Sequence, residues 1–542
     1  MAEGRPLRFG IMCNGRSIRG FQAEAIRLLL ESGAAEPALL IVDGRQTARE
    51  SRARRVIRRL TARKLLWRLY SGLRTPSGMR SVPLPDDLDK LPAIVCHPVQ
   101  RGKFSEYLSE EEVNAIRAYD LDFILRFGFN IIRGDVLQSA RYGVWSFHHG
   151  DESAYRGGPP GFWEIYEGNP ISGAVLQRLT GRLDAGHILR RGFLRTLNYS
   201  YSRNLNRLLM ESTHWPASVA REIVAGGSID DVAVSTSTAP IYMAPSNIAM
   251  IRYFGILARN IVIRLCERFF RDEWNVGIVP VSIDTIVGGA QLRDVRWYPA
   301  FKGGWLADPM AQSVNGSVQV LCERMSLDTQ KAHIAAMSFN GKGWSDVRTA
   351  IDTGCHASYP YIFHFQGNAY CVPETFEANE VRLYRCVSFP DQWQLERTLL
   401  SDISTVDNTI FEYEGRWWLL CTTADATGHR LNAYYADVPF GPWRAHPRNP
   451  VKVDVRSARP AGAPFWYGGN LYRPAQDCSK TYGGRITINR IVQLSPTAFS
   501  EETVSHVEPD PAEPYGRALH TLSFAGDYCV IDGKRSRFKY TS

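Results

Sequence analysis

The sequence of 542 residues contains no apolar run that approaches the roughly 20 residues needed to cross a bilayer. Its first residues, Met1 to Arg5, lack the apolar core of a secretory signal peptide. Its ten cysteines form no C-x-x-C pair, and the nearest two, Cys371 and Cys386, do not have the spacing of metal ligands. These absences predict a cytoplasmic protein with reduced thiols, at most peripheral to the inner face of a membrane, and no metal site.

Charge is ordinary overall but concentrated in one stretch. The sequence is 44% hydrophobic and 22% charged, which is typical of globular domains, and its length predicts more than one core. The net charge of +9 resides in residues 45–74, which contain eleven Arg and Lys residues and a single acidic residue, Glu50. Leucines at helical spacing predict a basic amphipathic helix there, which could bind an anionic membrane surface or phosphates, or be a solvated insertion. No RNA-binding module accompanies the charge, which argues against nucleic acid.

The first part of the chain, residues 1–232, has the pattern of an α/β domain. Leu7 to Met12 and Ala38 to Val42 read as strands that flank a helix from Gly20 to Ser32, which makes a βαβ unit. No G-x-G-x-x-G motif follows the first strand, so no dinucleotide site is predicted. Further strands are expected at residues 93–97 and 121–127, and the helical pattern of residues 205–225 should break just before Pro216.

The segment from Trp145 to Gly192 holds the residues best suited to proton transfer. His148 and Asp184 are 36 residues apart, and each is expected at the end of a strand. Neighbouring strands would bring them together, and an imidazole beside a carboxylate can relay protons near neutral pH. The alternative is a structural His/Asp pair.

This segment resembles the catalytic domain of the folate-dependent formyltransferases. The resemblance is carried by Ser146-Phe-His148, Arg156-Gly157, Ser172-Gly-Ala-Val175 and Leu183-Asp-Ala-Gly186. It implies a Rossmann-like domain in which His148 and Asp184 move a formyl group from N10-formyltetrahydrofolate to a primary amine. Ser146 stands where the family has its catalytic Asn. The resemblance further places Gly128, Asn130, Arg156 and Gly157 at the folate, although Asn130 could instead be a turn residue.

Residues 233–273 are expected to link two domains. A Ser/Thr/Pro-rich stretch is followed by a helical pattern at residues 247–271 that is apolar apart from five arginines. This helix could pack between domains or lie on a membrane surface.

Residues 274–542 are predicted to form an all-β five-bladed propeller. Five segments that begin at Leu306, Ser358, Val406, Ala461 and Ala518 each contain an apolar strand, a Gly turn and a second apolar strand. Their spacing of about fifty residues is that of four-stranded blades. The fifth segment stops early, so a strand near Val276 to Ile283 should complete its blade. A β-sandwich is the alternative, but it has no reason to repeat the pattern.

Acidic residues recur where the predicted blades begin. The first strands should line a central channel with Asp308, Tyr359, Asp407, Pro464 and His520. A second group, Glu374, Arg473 and Asp477, is expected one hairpin away. Paired carboxylates can cleave glycosidic bonds, or they can bind sugar hydroxyls.

This half resembles the five-bladed propellers of glycoside hydrolases and the N-terminal region of plant glucosamine inositolphosphorylceramide transferases. The hydrolase resemblance, based on an Asp-Pro and a Pro-Glu-Thr motif, implies Asp308 as base or nucleophile, Glu374 as acid and Asp407 as stabiliser. The sequence thus predicts an N-formyltransferase that acts on an amino sugar. The alternatives are a propeller glycosidase or transglycosidase, and a glycan-binding scaffold with a degenerate formyltransferase domain.

Overall fold

The computed structural model describes residues 5–45, 63–101, 105–181, 186–229, 234–424 and 429–539. The chain divides into two compact units, Met1–Arg264 (unit 1) and Leu265–Ser542 (unit 2). Within the described ranges, no helix has both the length and the apolar character needed to span a membrane.

Unit 1 is built on a mostly parallel sheet. Its strands, in chain order, are Leu7–Cys13, Ala35–Asp43, Ala93–Cys96, Phe123–Arg126, Val144–His148, Ile171–Arg178 and His187–Arg195. The first strand pairs in parallel with the second and fourth, the second with the third, and the fourth with the fifth. The sixth strand pairs antiparallel with the fifth and the seventh. The βαβ unit predicted at the start of the chain is confirmed.

Helices pack against this sheet through apolar side chains. The helices are Gly20–Glu31, Leu65–Leu73, Asp86–Asp89, Glu110–Arg117, Trp163–Glu167, Tyr201–Glu211, Trp215–Val224 and Asn247–Glu267. Glu110–Arg117 begins at a capping box, in which the Ser109 hydroxyl accepts from the Glu112 N–H. The expected break before Pro216 is present, because one helix ends at Glu211 and the next begins at Trp215.

Short elements complete unit 1. They are the strands Ser17–Arg19, Ser81–Pro83, Val99–Arg101, Ser105–Tyr107, Ile131–Arg133, Arg156–Gly157 and Ile241–Tyr242, and the 3-10 turns Ser77–Met79 and Asp135–Gln138.

In the part of unit 2 that the structure describes, the strands form the five blades predicted from the repeat. We number them from the blade that contains the start of the unit. Blade 1 has Phe270–Val279, Arg296–Trp297, Leu522–Ala525 and Tyr528–Phe538; blade 2 has Gly304–Val314, Ser317–Ser326, Ala332–Phe339 and Arg348–Ile351; blade 3 has Ser358–Phe365, Asn368–Glu374, Glu380–Ser388 and Gln392–Ser401. Blade 4 has Thr405–Tyr413, Arg416–Thr423, Arg430–Ala436, Arg444–Ala445 and Lys452–Asp454; blade 5 has Ala290–Leu292, Phe465–Tyr467, Asn470–Asp477, Arg485–Leu494 and Phe499–Pro509.

Blade 1 closes the ring by joining distant parts of the sequence. Phe270–Val279 pairs antiparallel with Tyr528–Phe538. The closing strand was expected near residues 276–283, but it starts earlier and ends at Val279. The chain turns into a short helix at Ile283–Gly288, where the Ser282 hydroxyl caps the Thr285 N–H.

The first strands of blades 2, 3 and 4 share one irregularity. Each has a bulge, at Ala307/Met310, Ser358/Tyr361 and Val406/Thr409. Within the bulges, Asp308, Tyr359 and Asp407 adopt left-handed backbone angles, with φ of 51°, 41° and 53°. Such angles cost roughly 1–3 kcal/mol each for residues other than glycine. Three equivalent strained residues indicate that these side chains are held in place for a purpose other than strand pairing.

A carboxylate cluster as the candidate functional site

Blade 1 surrounds the first of these bulged residues, Asp308, with hydrogen-bond donors. The Thr521 hydroxyl donates to Asp308 Oδ1 at 2.9 Å, and His520 Nε2 lies 3.4 Å from the same oxygen. His520 Nδ1 lies 2.5 Å from Asp532 Oδ2. Burial alone would lower the pKa of His520, but Asp532 and Asp308 outweigh it and raise the pKa. The two neighbouring acids therefore favour the protonated form of His520.

The carboxylate of Asp532 organises this part of the site by binding backbone N–H groups of three residues. Its carboxylate accepts the backbone N–H groups of Asp308, His520 and Thr521, each at 3.0 Å. Three ligand atoms of Asp308, His520 and Asp532 lie within 4.8 Å of one another, a grouping that could in principle hold a metal ion. Because Asp532 already accepts these N–H groups, the cluster is better described as a hydrogen-bonded ion-pair network.

The second bulged carboxylate, Asp407, is paired with Arg459. Burial raises the pKa of Asp407 to about 6, against the opposing effect of Arg459. Glu374, on the neighbouring blade, accepts the backbone N–H of Asp407 at 3.2 Å. Burial, helped by the charge of Asp407, raises the pKa of Glu374 to about 8. At neutral pH the two neighbouring groups are therefore a protonated acid and an ionised carboxylate.

A further acid and an aromatic pair complete the cluster. Burial and the charge of Asp308 raise the pKa of Glu323, which lies 3.7 Å from His356 Nε2. Trp274 stacks on His520 with ring centroids 3.9 Å apart, and the Arg459 guanidinium lies 5.0 Å from the Tyr482 ring centroid. Tyr482 is 41% exposed, whereas Trp274 and the carboxylates are buried.

The third bulged residue, Tyr359, ties three blades together. Its hydroxyl lies 3.1 Å from Thr409 Oγ1 and accepts the Gly462 N–H at 2.8 Å. Pro464 was the residue of blade 5 expected to line the channel, but Gly462 is the residue that contacts Tyr359. A Cβ on Gly462 would lie 2.0 Å from the Leu522 carbonyl oxygen, so no side chain fits there.

Of the residues predicted for the propeller site, the structure brings together Asp308, Glu374, Asp407 and His520. Arg473 and Asp477 do not join them, which corrects the expectation for those two. Arg473 is buried and binds Glu501 at 2.6 Å and the Ser457 carbonyl at 2.5 Å. Asp477 binds Arg485 at 2.9 Å and accepts the Ser479 N–H. Both side chains therefore make ion pairs and hydrogen bonds that stabilise blade 5.

The residues predicted to catalyse formyl transfer are engaged in unit 1. Asp184 lies outside the described residues. Ser146 Oγ accepts from the Arg126 guanidinium at 2.9 Å, and His148 Nε2 lies 3.4 Å from the Tyr155 carbonyl. The neighbouring His149 is buried, which lowers its pKa to about 3, and it packs against Phe21.

The four residues expected at the folate make the following contacts within the chain. A Cβ on Gly128 would lie 2.4 Å from Asn14 Oδ1, so this glycine permits a close approach of two loops. The Asn130 N–H donates to Glu106 at 2.9 Å. Arg156 donates to the Ala239 carbonyl at 3.2 Å, and Gly157 pairs with Tyr242.

Several members of the cluster were not predicted from the sequence. Arg459 lies in a loop with no counterpart in the repeat, and Trp274 precedes the first repeat. Asp532 could have been predicted from the repeat. It follows the turn at Gly526 at nearly the same spacing at which Glu323 follows the turn at Gly316 and Glu374 the turn at Gly367.

Comparisons with known proteins place relatives on unit 2. Residues 279–513 match the family model described as "Glucosamine inositolphosphorylceramide transferase 1, N-terminal". Glucosamine inositolphosphorylceramide transferase 1 of Arabidopsis thaliana is 35% identical over 208 residues, which is 37% of this chain and 27% of that protein. The chain thus spans about a quarter of the length of this relative.

Two solved structures are much more distant. A family 117 glycoside hydrolase of Zobellia galactanivorans is 14% identical with a TM-score of 0.32, covering 50% of this chain and 91% of its own. A glycinamide ribonucleotide transformylase of Symbiobacterium toebii is 15% identical with a TM-score of 0.29, covering 43% and 95%. Both scores are too low to support an argument.

The prediction of an N-formyltransferase is wrong, because the relatives found by sequence are named as glucosamine inositolphosphorylceramide transferases and not as formyltransferases. The described contacts of Ser146, Gly128 and Gly157 agree with this correction. The other resemblance is confirmed: over residues 279–513, the propeller is similar to the N-terminal region of the glucosamine inositolphosphorylceramide transferases.

Proposed function

We propose that unit 2 binds a carbohydrate at the carboxylate cluster. The observation that carries this proposal is the repeated left-handed bulge that holds Asp308, Tyr359 and Asp407 beside Glu374 and His520. Backbone strain of this kind persists where a binding or catalytic geometry requires it. Glu374 is buried and, among the residues that the structure describes, forms no ion pair, and such an acid is costly to keep unless it meets a ligand.

The chemistry of the cluster favours a sugar that carries an amine. Carboxylates accept hydrogen bonds from hydroxyl and ammonium groups, and the exposed part of the Tyr482 ring offers apolar surface to a pyranose ring. The relative that matches this unit is named for glucosamine and inositolphosphorylceramide. We therefore take the ligand to be a glycan or glycolipid headgroup that contains an amino sugar.

Calorimetric titration of the full chain with glucosamine, N-acetylglucosamine and glucose tests this proposal. Glucosamine should bind most tightly, because only its ammonium can pair with an ionised carboxylate. Asp407→Asn keeps the shape of the side chain, removes its charge and should weaken glucosamine binding at least tenfold. Asp437→Asn is the matched control, since Asp437 is exposed on blade 4 and remote from the cluster. Absence of binding by all three sugars, or equal binding by the Asp407 variant, would overturn the proposal.

A second candidate function is the making or breaking of a glycosidic bond at the same cluster. It is favoured by the difference between the pKa of Glu374, about 8, and that of Asp407, about 6. Glu374 would donate its proton to the departing glycosidic oxygen, and Asp308 would take a proton from the attacking hydroxyl or water. Asp407 would stabilise the positive charge that develops on the sugar ring.

Release of glucosamine from its methyl glycoside tests this second function, because a methoxide leaving group depends on protonation by a general acid. Glu374→Gln should lower the rate by about 10²–10⁴-fold, the usual contribution of a general acid. Sugar binding should persist in this variant, which separates loss of catalysis from loss of the site. Equal rates in the variant and the natural protein would exclude Glu374 as the acid.

A further inference from the structure

The helix Asn247–Glu267 has apolar residues on two faces. Met250 and Tyr253 are buried against unit 1, and the Tyr253 ring lies 4.7 Å from that of Phe162. A second set of apolar side chains points away from this contact. Ile248 is 82% exposed, Ile251 65% and Val262 57%. Apolar residues at three- and four-residue steps form a stripe along the helix, and the fold of unit 1 leaves this stripe uncovered.

The helix Leu65–Leu73 lies beside it and runs in the same direction. At one end, Asn247 Oδ1 accepts the Leu66 N–H at 3.0 Å, and the Asn247 N–H donates to the Arg63 carbonyl at 2.8 Å. About one and a half turns further along, the hydroxyls of Tyr70 and Tyr253 are 3.2 Å apart. On this helix, Leu73 is 83% exposed. We call the exposed side chains of the two helices the helix-pair surface.

The charge of the helix-pair surface is positive apart from Glu267, the last residue of the second helix. Residues 63–74 and 247–264 contain Arg and Lys but no Asp or Glu. Exposed arginines flank the apolar stripe, among them Arg63, Arg74, Arg252 and Arg259. Arg252 lies with its guanidinium 5.1 Å from the Tyr166 ring centroid, at the edge of the surface. An apolar stripe bordered by cations is complementary to a surface that is apolar beneath and anionic at its boundary.

We propose that the helix-pair surface docks on an anionic lipid bilayer. The isoleucines, Val262 and Leu73 enter the boundary between headgroups and acyl chains, and the arginines contact lipid phosphates and carboxylates. Charge decides between this occupant and a second copy of the chain. Two like-charged surfaces would repel each other in a dimer, whereas an anionic leaflet attracts each basic residue near it. This proposal does not depend on sugar binding by unit 2.

Sedimentation of the full chain with vesicles tests the proposal. Vesicles of phosphatidylcholine with phosphatidylserine should pellet the protein, and vesicles of phosphatidylcholine alone should pellet much less. The double change Arg252→Gln and Arg259→Gln should weaken binding about fivefold per charge. Ile251→Glu with Val262→Glu should abolish it while leaving the far-ultraviolet dichroism unchanged, because both side chains are exposed. The matched controls are Arg444→Gln and Val387→Glu, at exposed positions of unit 2.

Two outcomes would overturn the proposal. The first is equal pelleting of the natural protein and both double variants. The second is a dimer in sedimentation velocity that Ile251→Glu dissociates, in a protein that does not bind vesicles; the surface would then be an interface between copies of the chain.

Discussion

Glu374→Gln should make the protein more stable, and the gain should grow with pH. The carboxyl of Glu374 is buried, and its pKa of about 8 lies well above its ordinary value of 4.5. Between these two pH values the folded chain keeps a proton that the unfolded chain releases. Ionisation therefore favours the unfolded chain, and stability falls as pH rises. A glutamine has nearly the same shape and keeps an oxygen for the Asp407 N–H, but it does not ionise.

The expected gain in stability follows from the difference between the two pKa values of Glu374. One pKa unit corresponds to about 1.4 kcal/mol, so the variant should gain nothing at pH 4.5 and about 3 kcal/mol at pH 7. Above pH 8 the gain should level off at about 5 kcal/mol. A site that destabilises the fold in this way is typical of function rather than of packing.

The assay is urea unfolding of the full chain at several pH values, with amide hydrogen exchange in blade 3 to separate this blade from unit 1. Glu414→Gln is the matched control, because Glu414 is exposed in a hairpin of blade 4. A stability difference that does not change between pH 5 and pH 8 would refute the reasoning, since it would mean that Glu374 is not held protonated.

Three further predictions concern residues outside the cluster. Arg473 and Lys452 lower the pKa of Glu501 from 4.5 to about 2, so Glu501→Gln should cost about 3 kcal/mol at pH 7. That cost should vanish as pH falls towards 2, and the neighbouring Glu502→Gln, in an exposed pair with Arg490, should cost less than about 1 kcal/mol in the same unfolding assay. Gly157→Ala would place a Cβ 2.3 Å from the Tyr242 carbonyl and should lower the melting temperature more than Gly168→Ala. Gly168 also has a positive φ but meets no atom within 4 Å, so the comparison isolates the steric clash and an equal loss would contradict it. His149, with a pKa of about 3, should destabilise unit 1 by about 1.4 kcal/mol per pH unit below 6.5, because only the unfolded chain binds the proton; His149→Asn should flatten this slope in acid unfolding.

The sequence was informative where its pattern is local or periodic. The first βαβ unit, the helix break before Pro216 and the five blades follow from apolar spacing, turn residues and a repeat of about fifty residues. Asp308 and Asp407 could be identified because the repeat places them at equivalent points of their blades, and Glu374 because it lies one hairpin further along. None of this required knowledge of distant contacts.

The errors arose where a distant contact decides what a residue does. Arg473 was expected near the site, one hairpin from the channel, but Glu501 in the same blade binds it in an ion pair. Ser146 suggested a hydroxyl for catalysis, yet its partner Arg126 lies on the adjacent strand, twenty residues earlier. Glycines at Gly128 and Gly157 indicate close approach, but the sequence does not show whether a ligand or the chain itself approaches.

The pairing of Phe270–Val279 with Tyr528–Phe538 has a consequence for the order in which the protein becomes competent. Asp308 and its partner Asp532 are 224 residues apart, so the network of His520, Thr521 and Asp532 is synthesised long after Asp308. Blades 2 to 4 can form earlier from local hairpins, but Asp308 then lacks its counter-charges. Closure of the ring and assembly of the carboxylate cluster are therefore a single event, and a nascent chain without residues 520–532 would lack the cluster.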